Sequence, residues 1–207
     1  MKLNRPGLIL LLMFVSFFLF SCATTRVRSI AADQTESDLF ARVKPVFIIP
    51  SSDLDKGNGI EAVFFNQVET EDGAVIEITV IFYDEDHPSG LVDGLYDIYR
   101  RFKYRRVRDV ETFFFHFNIA GVGASRFDFP GTYAREQVFS ERKVEHFSAE
   151  VPAGEFEYIQ SRPVIHVTTW NHLFREKATE PDIVTVAVGD YPVYPGTRED
   201  AENLLRR

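Results

Sequence analysis

The chain has 207 residues, 45% of them apolar, with 23 basic against 31 acidic side chains and a formal charge of −8. That length suits one domain that buries most of the apolar surface it exposes when unfolded, and that charge does not suit nucleic acid or anionic headgroups. The only cysteine, Cys22, excludes an internal disulfide, so the core must rest on packing.

The N-terminus opens with Lys2 and Arg5, continues in an apolar-rich run from Leu8 to Phe20, and closes on Leu19-Phe20-Ser21-Cys22. The 13 residues of that run fall short of the ~20 that cross a bilayer as a helix, which argues against a transmembrane segment. A plain secretory signal would leave the position of the solitary cysteine to chance. The segment resembles the lipobox signal of bacterial lipoproteins, over the first 22 residues only. The resemblance implies that residues 1–21 are removed and that Cys22 becomes the new N-terminus. It also implies a diacylglyceryl thioether on Cys22 and usually an N-acyl group, enough buried chains to hold the protein on a membrane. Ala23 stands where some enteric bacteria use aspartate to retain lipoproteins in the inner membrane, which favours the outer membrane. Removing the signal takes two basic residues and no acidic ones, leaving 186 residues and a charge of −10.

From residue 22 to 42 the chain is mostly small, polar and charged, as in Asp33-Gln34-Thr35-Glu36-Ser37-Asp38, and reads as a flexible tether. The other reading is an ordered extension packing through Ile30, Leu39 and Phe40. Residues 43–207 form a single mainly β domain in this reading, because short β-branched and aromatic runs alternate with turn signals.

Val43 to Ile49 is the first expected strand, placed at an edge by Pro45. Ile60 to Glu69 and Ala74 to Tyr83 form a hairpin across Asp72-Gly73, with Ile76, Ile78, Val80 and Phe82 directed to the core. Leu91 to Tyr104 fits both helix and strand, with a slight lean to helix that Gly94 weakens by about 1 kcal/mol relative to alanine. Val110 to Ile119 alternates through Phe113, Phe115 and Phe117, so it reads as a strand buried on at least one face. Further strands are expected at Gln137 to Phe147, Phe156 to Ile159, Val164 to Trp170 and Ile183 to Val188. Thr197 to Arg207 closes the chain as a short helix, with Thr197 as its cap and Asp200 three residues on. The sum is an antiparallel β-sandwich with a short C-terminal helix, or alternatively a closed β-barrel.

Sixteen of the 20 phenylalanines remain after the signal is lost, and at strand spacing they read as core rather than as the lining of a lipid cavity. Asp53-Leu54-Asp55-Lys56-Gly57-Asn58 fails as a calcium loop, since its twelfth position is Phe64, and reads as a solvated turn. Gly121-Val122-Gly123-Ala124-Ser125-Arg126 fails as a dinucleotide loop, because no helix follows, and Ser125 fails as a nucleophile elbow. Asp84-Glu85-Asp86-His87 offers consecutive hard ligands that converge poorly on an extended segment, so no metal is expected there.

Two candidate sites remain. Arg101, Lys103, Arg105, Arg106 and Arg108, beside Arg100, form the concentrated positive stretch of an acidic chain and suit carboxylate, phosphate or sulfate. The plainer reading pairs them with neighbouring carboxylates. His166, Trp170 and His172 form a possible polar site, sharing a face if the strand continues through them. No cofactor is expected. The leading functional reading is a non-catalytic binding or structural module of the bacterial envelope, held to a membrane through Cys22, with an envelope protein or small ligand as partner. The alternative is a carrier or sensor of a small apolar or anionic ligand, which a Phe-lined closed barrel would favour. A hydrolase using His166, His172 and the acids around Asp84 is the third.

Overall fold

The computed structural model describes residues 38–71, 73–118 and 123–206; the signal, Cys22 and most of the expected tether lie outside them. The first described element is a helix, α1 (Asp38–Val43), where a tether was expected. Phe40 is fully buried and stacks on Phe65 with ring centroids 4.5 Å apart and planes 3° from parallel. Phe40, which the ordered-extension reading names, is thus packed against the domain.

The strand β1 (Val46–Pro50) starts after Pro45, not before it. It is an interior strand, parallel to β8 (Arg162–Val167) on one side and antiparallel to β10 (Thr185–Val188) on the other. Pro45 lies outside the ladder, where its missing N–H costs no sheet bond. Its carbonyl instead accepts from the Tyr191 hydroxyl at 2.7 Å and from the Arg162 guanidinium at 3.0 Å. The edge assignment is thus overturned.

A short helix α2 (Ser51–Lys56) follows, ended by Gly57 at φ 95°. The hairpin β2 (Ile60–Thr70) and β3 (Gly73–Phe82) forms as the alternation predicts, and Ile76, Ile78, Val80 and Phe82 are all 0% exposed. Gly73, at φ 146°, is required there because a Cβ would stand 1.8 Å from the Phe117 carbonyl oxygen. Next come α3 (Gly90–Lys103), which resolves the ambiguous stretch as helix, and β4 (Asp109–Asn118). A strand β5 (Ala124–Tyr133) was not anticipated, since Pro130-Gly131 interrupts the run that carries Phe127 and Phe129. Conversely, the strand expected from Gln137 is mostly turns, and β6 is confined to Phe147–Pro152. The charged stretch around Glu141-Arg142-Lys143 offers no face to bury.

The remaining pieces are β7 (Tyr158–Ile159), β9 (Phe174–Arg175), β11 (Val193–Pro195) and the helix α4 (Arg198–Leu205). Thr197 caps α4 as expected, in a reciprocal capping box with Asp200. The strands form one curled mixed sheet, a half-barrel in the order β10-β1-β8-β9-β5-β4-β3-β2-β11, with β6 on β5 and β7 on β8. It is mainly β with a C-terminal helix, and its mixed, curled sheet is a half-barrel rather than a clear antiparallel sandwich. Parallel pairs β1–β8 and β2–β11 join segments more than a hundred residues apart, a pairing that local periodicity cannot reveal.

The concave side is filled by aromatic rings. Phe113 lies 5.4 Å from Phe129, 5.1 Å from Phe174 and 6.4 Å from Phe47, while Phe115 meets Phe127 at 4.5 Å. Each of these is 0% exposed. A second, smaller core under α4 joins Ala62, Phe64, Ile81, Val110 and Ala201, so β3 is buried on both faces near its end.

Candidate functional site

His172 is the centre of the site. It does not continue the strand after His166 but sits in the turn between β8 and β9, at φ 58°, a left-handed conformation that histidine adopts more readily than most residues. Thr169 builds that turn, its carbonyl accepting from His172 N–H at 3.0 Å and its hydroxyl from Leu173 N–H at 2.9 Å. The imidazole is 0% exposed and stacks on Phe82 at 3.9 Å and 6°.

Both ring nitrogens face carboxylates. Nε2 lies 3.1 Å from Asp53 Oδ2 and Nδ1 lies 3.0 Å from Asp109 Oδ2. Asp53 comes from α2 and is also 0% exposed, its other oxygen accepting from Asn58 Nδ2 at 2.9 Å. The reading of residues 53–58 as a solvated turn is therefore corrected: this is a helix end that buries Asp53 and Asn58. Asp109 opens β4, and its Oδ1 accepts from Val110 N–H at 3.0 Å. Burial by itself would lower the His172 pKa, but the hydrogen bonds and charges of the two carboxylates win and raise it to about 10. Burial likewise works to raise Asp109, yet the imidazolium beside it holds it below the usual carboxylate range. At neutral pH the trio is an imidazolium clamped between two acids, joining α2, β4 and the β8–β9 turn.

A second layer fastens α3 over this trio. Glu85 is 5% exposed, and Arg100 of α3 is 2% exposed. Arg100 Nε reaches Glu85 Oε1 and Arg100 Nη1 reaches Asp84 Oδ1, each at 3.2 Å. Burial, then the charge of Asp109, pushes the Glu85 carboxyl up to about 8 against the pull of Arg100 and His172. Tyr96 of α3 hydrogen-bonds Glu85 as well, and His87 N–H donates to Asp93 Oδ1 at 2.7 Å.

Ligand atoms of Glu85, Asp109 and His172 lie within 4.8 Å of one another, the group among the described residues that could hold a metal ion. The donor types suit a divalent cation. Its entry would require His172 to give up a proton and a carboxylate partner, because both nitrogens are already engaged. Arg100 and the imidazolium now supply the positive charge at this point.

The sequence-derived sites fare differently. Among the basic residues, Arg101, Lys103 and Arg105 are exposed, with Lys103 over the Tyr99 and Tyr104 rings at 5.1 and 4.9 Å. Arg106 is half-buried and donates to the Arg108 carbonyl, and Arg108 pairs with Glu61 at 2.7 and 3.4 Å. The stretch therefore splits into an exposed group at the end of α3 and an engaged group before β4.

His166 is half-buried on β8, opposite Arg175, and its pKa is lowered by burial. It lines a small hollow with Pro50, Phe139 and Ile183, and shares no partner with His172. Trp170 meets His87 and Tyr96 edge-on at 4.9 and 6.2 Å, and its Nε1 has no hydrogen-bond partner among the described residues. The proposed polar trio of His166, Trp170 and His172 is not one site. Gly121 and Val122 lie outside the described residues, while Ser125 is on β5 and donates to the His116 carbonyl at 3.0 Å.

A cleft of about 920 Å³ opens beside α1, lined by Val43, Phe115, Phe127, Ala153, Tyr158 and Pro163, with Arg162 at its wall. That guanidinium already donates to the carbonyls of Lys44, Pro45 and Gly189 at 2.7–3.0 Å.

No protein-family model matches the chain, and no curated protein matches it. Among solved structures it resembles the crystal structure of Necrosis and Ethylene inducing Protein 2 from the causal agent of cocoa's witches' broom disease. The TM-score is 0.44 at 8% identity, over 81% of this chain and 79% of that one. A likeness at this level carries nothing over to this chain.

Proposed function

We propose that the protein is a bacterial envelope lipoprotein, anchored through lipid on Cys22 and favouring the outer membrane, whose domain acts by binding rather than by chemistry. The observation that carries the second half is the state of His172: fully buried, with both nitrogens spent on Asp53 and Asp109. A general base needs a free nitrogen at hydrogen-bonding distance from a substrate. Here the residue types of catalysis serve to hold elements together. The anchor rests on the lipobox resemblance, and among the described residues no helix is long and apolar enough to cross a membrane.

Replacing Cys22 by alanine tests the anchor. The expected result is transfer of the protein from the membrane pellet to the soluble fraction, with loss of label from radioactive palmitate. A Cys22→Ala protein that still pellets in high salt would remove the lipoprotein reading.

The carrier reading keeps support from the cleft, whose volume falls in the range of small-molecule sites. Its lining mixes apolar residues with Gln160, Ser161 and Arg162, and the guanidinium is occupied by three carbonyls, which favours a small uncharged ligand over an anionic one. Native mass spectrometry of the domain after incubation with envelope extract is expected to show an added organic mass that denaturation removes. A bare polypeptide mass would end this reading, and an added metal mass would direct attention to Glu85, Asp109 and His172.

A further inference from the structure

The helix α3 is mounted the wrong way round for a soluble protein. Asp93, Tyr96, Asp97 and Arg100, spaced i, i+3, i+4 and i+7, share one face. That face turns inward, through the contacts of Asp93 with His87 and of Arg100 with Asp84 and Glu85. Leu91, Leu95, Ile98 and Phe102 share the opposite face and are 82%, 65%, 53% and 85% exposed. An amphipathic helix on a globular domain normally buries its apolar stripe. Here the contacts of the buried Arg100 with Asp84 and Glu85 hold the polar side down and leave four large apolar side chains in water.

We infer that α3 docks on an anionic lipid bilayer, lying in the plane of the interface with this stripe among the acyl chains. Charge complementarity selects that partner. No acidic residue occurs from Ile98 to Arg108, and Arg101, Lys103 and Arg105 are exposed there, at the level where phosphates of the headgroups lie. Tyr99 and Tyr104, which bracket Lys103, are amphipathic rings of the kind that settle at a membrane–water boundary. The net negative charge of the whole chain does not oppose this docking, because the acidic side chains of α3 lie on the face opposite the apolar stripe and charges beyond about 8–10 Å are screened at physiological salt. The inference stands apart from lipidation at Cys22.

The test uses residues 23–207, which lack Cys22 and keep every core residue among the described residues. The fragment is sedimented with vesicles of phosphatidylcholine, with and without phosphatidylglycerol. The expected result is binding to the anionic vesicles that weakens as salt is raised. Leu95→Gln and Phe102→Gln are each expected to lower the affinity about tenfold or more with an unchanged melting temperature, because the side chains they replace are 65% and 85% exposed. Replacing Arg101, Lys103 and Arg105 together by glutamine is expected to abolish the preference for anionic lipid. Equal, weak sedimentation of wild type and variants would overturn the inference. So would a loss of fold in Leu95→Gln, which would mean the face is packed, or a concentration-dependent dimer that Leu95→Gln dissolves, which would mean a second copy covers it.

Discussion

His172→Ala is expected to destabilise the domain by about 4 kcal/mol, read as a lower urea midpoint at unchanged slope. Three losses combine. The ring leaves a cavity against Phe82, where it now stacks at 3.9 Å. Asp53 and Asp109 lose their shared counter-ion while remaining 0% and 7% exposed, and an uncompensated buried charge is the costly outcome of breaking such a group. The elements α2, β4 and the β8–β9 turn lose the side chain on which they converge. Adding Asp53→Asn and Asp109→Asn to His172→Ala is expected to recover part of the stability, since amides need no counter-ion. A single variant within about 1 kcal/mol of wild type would show that the clamp is dispensable; a triple variant no better than the single one would show that packing, not charge, dominates the loss.

The parts of this molecule legible in sequence are those set by neighbours along the chain. Alternation through Ile76, Ile78, Val80 and Phe82 places β3 and its core face, and Thr197 with Asp200 places the start of α4. The period of Leu91 to Tyr104 shows two faces to α3 but not which one turns inward, because that depends on Asp84 and Glu85 receiving Arg100. β5 hides behind Pro130-Gly131 although Phe127 and Phe129 carry a strand's spacing. The site is less legible still. Asp53 and Asp109 stand 119 and 63 positions from His172, so no local spacing unites them. Local composition sets His172 beside His166, which is a sequence neighbour and shares no hydrogen-bond partner with it. The signal for Asp109 was slight: an acid directly after a cationic run at the start of a strand.

Stability is expected to fall as pH rises from about 5 to 10, with chelator present to keep the site free of metal. Three buried groups set the direction. His172 has a folded pKa of about 10 against an ordinary 6.5, so its contribution is fully present below 6.5 and disappears as pH passes through 10. Glu85 sits at about 8 against an ordinary 4.5. It folds best as the neutral acid, and ionising it beside Asp109 costs stability between those limits. Glu111, raised well above its ordinary value by burial and the charge of Asp109, tilts the curve the same way. Asp109 opposes them only at the acid end, where its lowered pKa means that stability is lost as pH falls below about 3.8 and through the folded value. The melting temperature is therefore expected to peak near pH 5, on the acid side of neutrality, and to fall along the alkaline limb to pH 10. Glu85→Gln mimics the neutral acid, keeps a group that can accept from Arg100, and is expected to lessen the slope between pH 4.5 and 8 while leaving the fall that His172 sets between 6.5 and 10. A melting temperature level from pH 6 to 10 would mean that His172 is neutral in the folded protein, and the Asp53–His172–Asp109 contacts would then be ordinary hydrogen bonds rather than an ionic clamp.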